Sequence, residues 1–251
     1  MTECFEAAGP RRICFSTRPL LALEGALSVD PPRSVWDRLV SGSSTVVGSA
    51  TSETDSWLVI RPLRGAHGAR KFGSQRLTEA LQDVLCGKPQ KTVAIELGIC
   101  ASTLTTALGK VLQGMGIAGS LSRVPIALAL LAQAARHPDR LSVTVYGDPQ
   151  AFGQSCLVRI ERRDNLLACD LTACEFAVTS RLLEGRTHQQ VARERGVSTR
   201  TVANQLSAVF RKLGTSGRFD LLRITVERRG GEGVTRNDGV QSAPRSLSLA
   251  G

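Results

Sequence analysis

The sequence predicts a mainly α fold made of two tandem helix-turn-helix four-helix units, each preceded by a small β-hairpin. Capping residues, apolar residues at helical spacing and helix-ending glycines follow one another over 171–229, and a fainter version of that order lies over 73–136. Short apolar segments bounded by turn residues precede each unit and predict hairpins. These are 45–47 with 57–60, and 142–146 with 156–160.

The same observations divide the chain into four segments. Residues 1–30 and 230–251 have few periodic apolar positions and are predicted to be disordered. Residues 31–136 hold the first hairpin and unit, and 137–229 hold the second, with its helical part at 171–229.

The first helix of the later unit is marked at both ends. Thr172 and Glu175 form a Thr-x-x-Glu capping box, so the helix is predicted to start at Ala173. Gly185 is placed to end it in the left-handed conformation. The apolar residues between them recur at helical spacing: Phe176, Val178, Leu182 and Leu183.

Two further helices are predicted with a glycine turn between them. Thr187 and Gln190 form a second capping box, and Gly196 supplies the positive φ that a tight turn needs. Ser198 caps a third helix over 199–213, which Gly214 ends. Its buried stripe comprises Val202, Leu206, Val209, Phe210 and Leu213. Two helices joined by such a turn have the geometry that places the second in a DNA groove.

The exposed side of the third helix carries groups suited to nucleic acid. Asn and Gln pair with adenine, Arg pairs with guanine, and basic side chains bind phosphates. We expect base readout by Arg200, Asn204 and Gln205, with support from Thr199 and Thr201. Phosphate contacts are expected from Arg211, Lys212 and Gln189. A solvated basic face on a helical bundle is the alternative interpretation.

A fourth helix is predicted after Ser216. Its buried residues would be Leu221, Leu222, Thr225 and Val226. Its exposed residues would be Arg218, Arg223, Arg228 and Arg229.

Residues 171–229 resemble the LuxR-type (GerE-type) helix-turn-helix domain of bacterial transcriptional regulators. The resemblance implies a sequence-specific regulator of transcription that binds double-stranded DNA, with 199–213 as recognition helix and the helix after Ser216 as dimerisation element. RNA polymerase is left open as a further partner. The sequence departs from the family where Ala203 and Gln189 replace common lysines and Cys174 replaces a common arginine. These departures predict weaker phosphate contacts.

The earlier unit is interpreted as a degenerate copy of the later one. Aligning Gly98 with Gly196 gives nine identical matches on structural positions: Leu85, Gly87, Val93, Ala94, Glu96, Thr103, Leu108, Val111 and Gly116. The positions matching Arg200, Asn204, Gln205, Arg211 and Lys212 are Ser102, Thr106, Ala107, Gln113 and Gly114. Because the first copy lacks those basic and amide side chains at the matching positions, the later copy is the stronger candidate for DNA binding.

The very apolar fourth helix of the first copy, near 124–131, raises the question of what covers it. One hypothesis is an intramolecular pseudo-dimer through the two fourth helices, and a homodimer through the later one is the alternative. Simple drift after duplication, with the helix buried in its own unit, is a third interpretation.

Composition favours a polyanionic partner. The chain of 251 residues has a net charge of +10, and nucleic acid fits this better than a membrane because the apolar run at 124–135 is too short to span a bilayer. Seven cysteines form no Cys-x-x-Cys pair, so we expect reduced thiols, no metal and no cofactor. No catalytic constellation stands out, and the expected protein is a non-enzymatic, cytoplasmic, nucleoid-associated one.

Two rival functions stay open. A sigma-factor-like promoter-binding protein has a similar final helical unit, but no acidic and aromatic promoter-melting region precedes it here. A protein-interaction adaptor that modulates another regulator is favoured by the neutral helix of the first copy. Salt-dependent binding to random duplex DNA separates the adaptor from a DNA-binding protein.

Overall fold

The protein is mostly helical and contains one antiparallel sheet. The computed structural model describes residues 2–7, 13–16, 27–28, 30–52, 54–63, 73–117, 121–147, 155–162 and 170–227. The strands are β1 Thr2–Ala7, β2 Ile13–Ser16, β3 Leu27–Ser28, β4 Ser44–Thr51, β5 Asp55–Pro62, β6 Val143–Tyr146 and β7 Cys156–Glu161. The helices are α1 Pro32–Val40, α2 Gln75–Leu85, α3 Gln90–Leu97, α4 Ala101–Gly114, α5 Ile126–Arg136, α6 Ala173–Leu183, α7 His188–Arg195, α8 Thr199–Leu213 and α9 Arg218–Glu227.

Both predicted hairpins form, but they do not stay separate. Strand β4 pairs with β5, and β6 pairs with β7, each antiparallel. Strands β5 and β7 then pair with each other, with Trp57 opposite Arg159 and Leu58 opposite Val158. The sequence did not predict this pairing, in which the free edge of each hairpin is satisfied by hydrogen bonds to the other. The complete order is β2-β1-β4-β5-β7-β6-β3.

The prediction of disorder over 1–30 is corrected at three strands. Strand β1 pairs with β2 and with β4, and β3 pairs with β6, so these segments extend the sheet at both sides. Backbone pairing with a distant strand supplies hydrogen bonds that composition and periodicity within a segment cannot indicate. Residues 228–251, which include Arg228, Arg229 and the predicted tail 230–251, lie outside the described residues.

Helix α1 was not predicted from the sequence. Pro32 occupies its first turn, where a missing N–H costs nothing. Val35, Trp36 and Leu39 are buried and lie in the same core as α5. The partly buried Val40 also packs against this core.

Helix α5 lies at the centre of the molecule. Each residue from Ile126 to Ala135 is buried, and the helix contacts α1, α2, α9 and the strands β4, β5 and β7. Two buried amides connect it to α2: Gln82 Nε2 donates to the carbonyl of Ala132 at 3.0 Å, and Gln133 Nε2 donates to the carbonyl of Leu85 at 3.2 Å. Both of these buried amides therefore find a backbone acceptor.

The two sets of helices contact each other directly. Leu221, Leu222 and Val226 of α9 belong to the core that surrounds α5. The turn after α2 approaches α9 closely, since a Cβ built on Gly87 would lie 3.1 Å from the Cα of Asp220. Both sets of helices therefore share one continuous core.

No single helix among the described residues is long and apolar enough to cross a membrane. Helices α3 and α4 taken together have the length and apolar composition of a membrane span, but the two helices are bent by 98° relative to each other.

The approach of Gly87 to α9 can be tested with two alanine substitutions. Gly98 has φ +68° with no atom within 4 Å of a built Cβ, so Gly98→Ala introduces backbone strain alone; we expect it to lower the free energy of unfolding by about 1–2 kcal/mol. Gly87 has φ +98° and would also clash with α9. Gly87→Ala is therefore expected to cost clearly more in urea unfolding. Equal losses would contradict the close contact.

Candidate nucleic-acid interface

The N-terminus of α6 carries the predicted capping box. The N–H of Glu175 donates to Thr172 Oγ1 at 3.3 Å, and the N–H of Thr172 donates to Glu175 Oε2 at 2.8 Å. Lys212, at the end of α8, donates to the same carboxylate oxygen at 2.9 Å. The hydrogen bond from Lys212 is the largest cause that lowers the pKa of Glu175 to about 2. The N–H of Thr172 and the hydroxyl of Thr172, which donates to Glu175 Oε2 at 3.0 Å, also lower it.

Helices α7 and α8 form the predicted helix-turn-helix. The second box is present, with the N–H of Gln190 donating to Thr187 Oγ1 at 3.2 Å and the N–H of Thr187 donating to Gln190 Oε1 at 2.8 Å. Helix α7 ends at Gly196, whose φ is 63°. Ser198 Oγ accepts the N–H of Thr201 at 3.0 Å and starts α8, which ends at Gly214 with φ 65°.

A small apolar cluster fixes α8 against α6 and α7. Its buried members are Val178, Val191, Ala192, Val202 and Leu206. Val209 of α8 faces the main core instead, together with residues of α9. Helix α8 is thus held along one side over its length, which leaves the opposite side free to face a groove.

The free side of α8 presents three of the predicted residues together. Arg200, Asn204 and Arg211 are exposed and, at 3.6 residues per turn, lie along one face of the helix. Within the described part of the chain, neither arginine has a carboxylate within 4.0 Å. Ser207 is exposed on the same face and was not predicted; its short polar side chain gives no motif signal.

The other predicted residues have more specific surroundings. Thr199 and Gln189 are exposed. Thr201 is exposed but its hydroxyl lies 2.8 Å from the capping Ser198 hydroxyl. Gln205 is half-buried, and its Oε1 is enclosed with no hydrogen-bond partner among the described residues. Lys212 is held in the ion pair with Glu175.

Two basic residues beside the turn were not among the site residues predicted from the sequence. Arg193 and Arg195 occupy the last turn of α7, directly before the glycine that leads to α8. Arg193 is exposed and, in the described ranges, has no carboxylate within 4.0 Å. The density of arginines between 193 and 200 was the signal that could have identified them.

The fourth helix corrects one expectation from the sequence. Leu221, Leu222, Thr225 and Val226 are buried as predicted. Arg218 was predicted to be exposed, but its Nη1 donates to the carbonyl of Val124 at 2.8 Å and its Nη2 to that of Leu183 at 2.7 Å. Arg223 is half-buried and pairs with Asp220 and Glu227. Helical periodicity cannot show that another unit covers this face.

Helix α4, which the alignment of Gly98 with Gly196 sets beside α8, has a different exposed face. Ser102, Thr106 and Gln113 are exposed, with Ser102 and Thr106 standing where α8 has Arg200 and Asn204. The hydroxyl of Thr106 donates to the carbonyl of Ser102 at 3.0 Å, so it is used within its own helix. This face offers no guanidinium group to a phosphate or a guanine.

Comparison with known families agrees with this geometry. Residues 170–225 match the family described as "Bacterial regulatory proteins, luxR family". The segment is therefore a helix-turn-helix domain of the GerE/LuxR type, a type of domain found in regulators that bind double-stranded DNA. Neither the curated proteins nor the solved structures contain a match to the chain.

The pKa of Glu175 makes the stability of this domain depend on pH. A carboxylate whose folded pKa is about 2, against an ordinary value of 4.5, stabilises the fold above pH 4.5. That contribution is lost as the pH falls from 4.5 towards 2. Glu175→Gln keeps a side chain that can complete the capping box but removes the charge.

We expect Glu175→Gln to unfold at a lower temperature than the wild type at neutral pH. The difference between the two unfolding temperatures should shrink as the pH falls from 4.5 towards 2. Calorimetry of both proteins at several pH values measures this difference in unfolding temperature. Lys212→Gln, which removes the other partner, should show the same pattern. A difference that does not change with pH would contradict the assigned ion pair.

Proposed function

We propose that this protein is a sequence-specific, DNA-binding transcriptional regulator that inserts α8 into the major groove. The observation that carries the proposal is the exposed face of Arg200, Asn204 and Arg211, two of them guanidinium groups without a carboxylate partner among the described residues. The face lies on the second helix of a helix-turn-helix within the matched LuxR-type segment. The proposed protein has no enzymatic activity and acts in the cytoplasm.

The residue roles follow from side-chain chemistry and exposure. Arg200 and Asn204 read bases, since Arg pairs bidentately with guanine and Asn with adenine. Gln205 joins them through its amide NH2, because its carbonyl oxygen is enclosed. Thr199 and Thr201 support the start of the helix, while Arg211, Lys212 and Gln189 contact phosphates. We add Arg193 to these phosphate-contacting residues.

We further propose that 73–136 is a degenerate copy of the later unit. Its four helices have 11, 8, 14 and 11 residues, against 11, 8, 15 and 10 in the later unit. Gly98 and Gly196 end corresponding helices with φ 68° and 63°. The buried residues Leu104, Leu108 and Val111 of α4 correspond to the buried Val202, Leu206 and Val209 of α8, while the exposed arginines of α8 have no counterpart on α4. This supports loss of DNA contact with retention of the core.

The two units then form a pseudo-dimer within one chain. Helix α9 contacts α5, and both are fourth helices of their units. Because α9 buries Leu221, Leu222 and Val226 in this contact, little apolar surface is left on it for a second copy of the chain. This supports binding of DNA as a monomer.

An adaptor function is the second candidate, and the neutral face of α4 favours it. Such a protein would bind another regulator through α4 and show almost no salt-dependent binding to random duplex DNA.

Replacement of Asn204 tests base readout. We expect Asn204→Ala to weaken binding to a selected site by about 1–3 kcal/mol and to relax specificity at one base pair. Thr106→Ala, the equivalent change on α4, is the control and should leave binding unchanged in fluorescence anisotropy. An equal loss in both variants, or an equal loss on random duplex, would contradict the assignment.

Replacement of the two basic residues at the end of α8 tests phosphate contact. Arg211→Gln should weaken binding to every sequence and reduce the slope of log affinity against log salt by about 1. Lys212→Gln should reduce that slope by less, since Glu175 already neutralises its ammonium group in the free protein. A loss confined to the selected site for Arg211→Gln would assign this residue to a base instead.

The oligomeric state tests the pseudo-dimer. Light scattering of the full chain should give the mass of one chain, both free and on a duplex that contains one selected site. A stable dimer that Leu222→Glu dissociates without unfolding the chain would contradict the proposal.

A further inference from the structure

A cavity of about 410 Å³ lies between the two helical units. One side is formed by the turn between α2 and α3 and by Leu121, which precedes α5. The other side is formed by the turn between α6 and α7 and by the start of α9. Its volume is in the range of sites that hold small organic molecules.

Three helices begin at this cavity. Gln90 of α3, His188 of α7 and Arg218 of α9 are the first residues of their helices, and all three line it. Free N–H groups give each helix start a partial positive charge. No side chain caps α3, because its N-cap residue is Pro89. The start of α9, by contrast, is already paired with a carboxylate of its own helix, because the N–H of Ser216 donates to Asp220 Oδ2 at 2.8 Å.

Arg218 adds a full positive charge without a counterion. Its guanidinium group donates to the carbonyls of Val124 and Leu183, which are neutral acceptors. Its Nε is enclosed and has no acceptor in the described part of the chain, where no carboxylate lies within 4.0 Å of the group either. Burial lowers its pKa to about 10, so it stays protonated at neutral pH.

The other charged groups around the cavity are already paired. Lys88 contacts Asp83 and Glu96, and Arg186 contacts Glu194. The carboxylate of Asp220 accepts from Arg223 at 2.7 Å. These pairs cancel, which leaves the charge of Arg218 and the uncapped start of α3 without a neutralising partner.

Apolar side chains form a further part of the cavity wall. They are those of Val84, Leu121, Leu182 and Phe219. A bare inorganic anion would leave these walls empty, whereas an organic anion would cover them with its apolar body and place its charge near Arg218. Shape and charge together favour an amphipathic ligand.

We propose that this cavity binds a small organic anion, a carboxylate or phosphate with an apolar body, between the two helical units. The anionic group lies beside the Arg218 guanidinium and the helix starts, and the apolar body contacts Leu121, Leu182 and Phe219. Because both units supply the walls, an occupant stabilises their contact. The site is distinct from the α8 surface and does not depend on DNA binding.

The test uses benzoate and phenyl phosphate as probes and benzamide as the neutral probe of matched shape. Each is titrated into the full chain while amide chemical shifts are followed by NMR. We expect saturable shifts at Gly87, Gly185 and Gly217 with the two anions, and roughly tenfold weaker binding of benzamide. Arg218→Gln keeps an N–H donor for the carbonyls but should reduce anion affinity to that of benzamide.

A second pair of variants keeps the test valid if Arg218→Gln does not fold. Gly217 lines the cavity, and a Cβ built on it meets no atom within 4 Å. Gly217→Trp should fill the cavity and abolish the anion-induced shifts, while Gly217→Ala should preserve them. The proposal is overturned if benzamide binds as well as benzoate, if the anions give no saturable shift at these glycines, or if Gly217→Trp leaves binding unchanged.

Discussion

The structure depends on the burial of α5, a helix without a polar face. A helix that is apolar all round must be covered on every side. Helices α1, α2 and α9 and the strands β4, β5 and β7 supply that cover. The only long polar side chain buried on α5 is Gln133, which finds the carbonyl of Leu85. Because α9 is part of the cover, the helix-turn-helix domain is joined to the rest of the chain through α5.

In this arrangement, the helices that form the central core differ from the helix that exposes free basic groups. Helix α5 and its neighbours provide the core, and α4 exposes hydroxyls that bond to their own helix and a single charged side chain, Lys110. Helix α8 uses its apolar side for packing and leaves guanidinium groups free on the other side. On the proposed correspondence of the two units, Ser102 stands opposite Arg200, while the helix-ending Gly98 and Gly196 have similar backbone conformations.

Sequence reasoning succeeded where the physics is local. The caps at Thr172, Thr187 and Ser198 each involve residues three positions apart, so a short sequence window contains both partners. It failed where partners are distant in sequence. The pairing of β5 with β7, the contact of Lys212 with Glu175 and the donation of Arg218 to Val124 all join segments that only the folded chain brings together.

In vitro selection of bound duplexes by the full chain tests the central claim most directly, which is that one chain presents one DNA-reading helix. Since α4 lacks counterparts of Arg200 and Asn204 and α9 is covered by α5, the selected sequences should share a single, non-palindromic half-site. Two inverted half-sites separated by about one helical turn, roughly 10 base pairs, would contradict the account, because they require two equivalent reading helices.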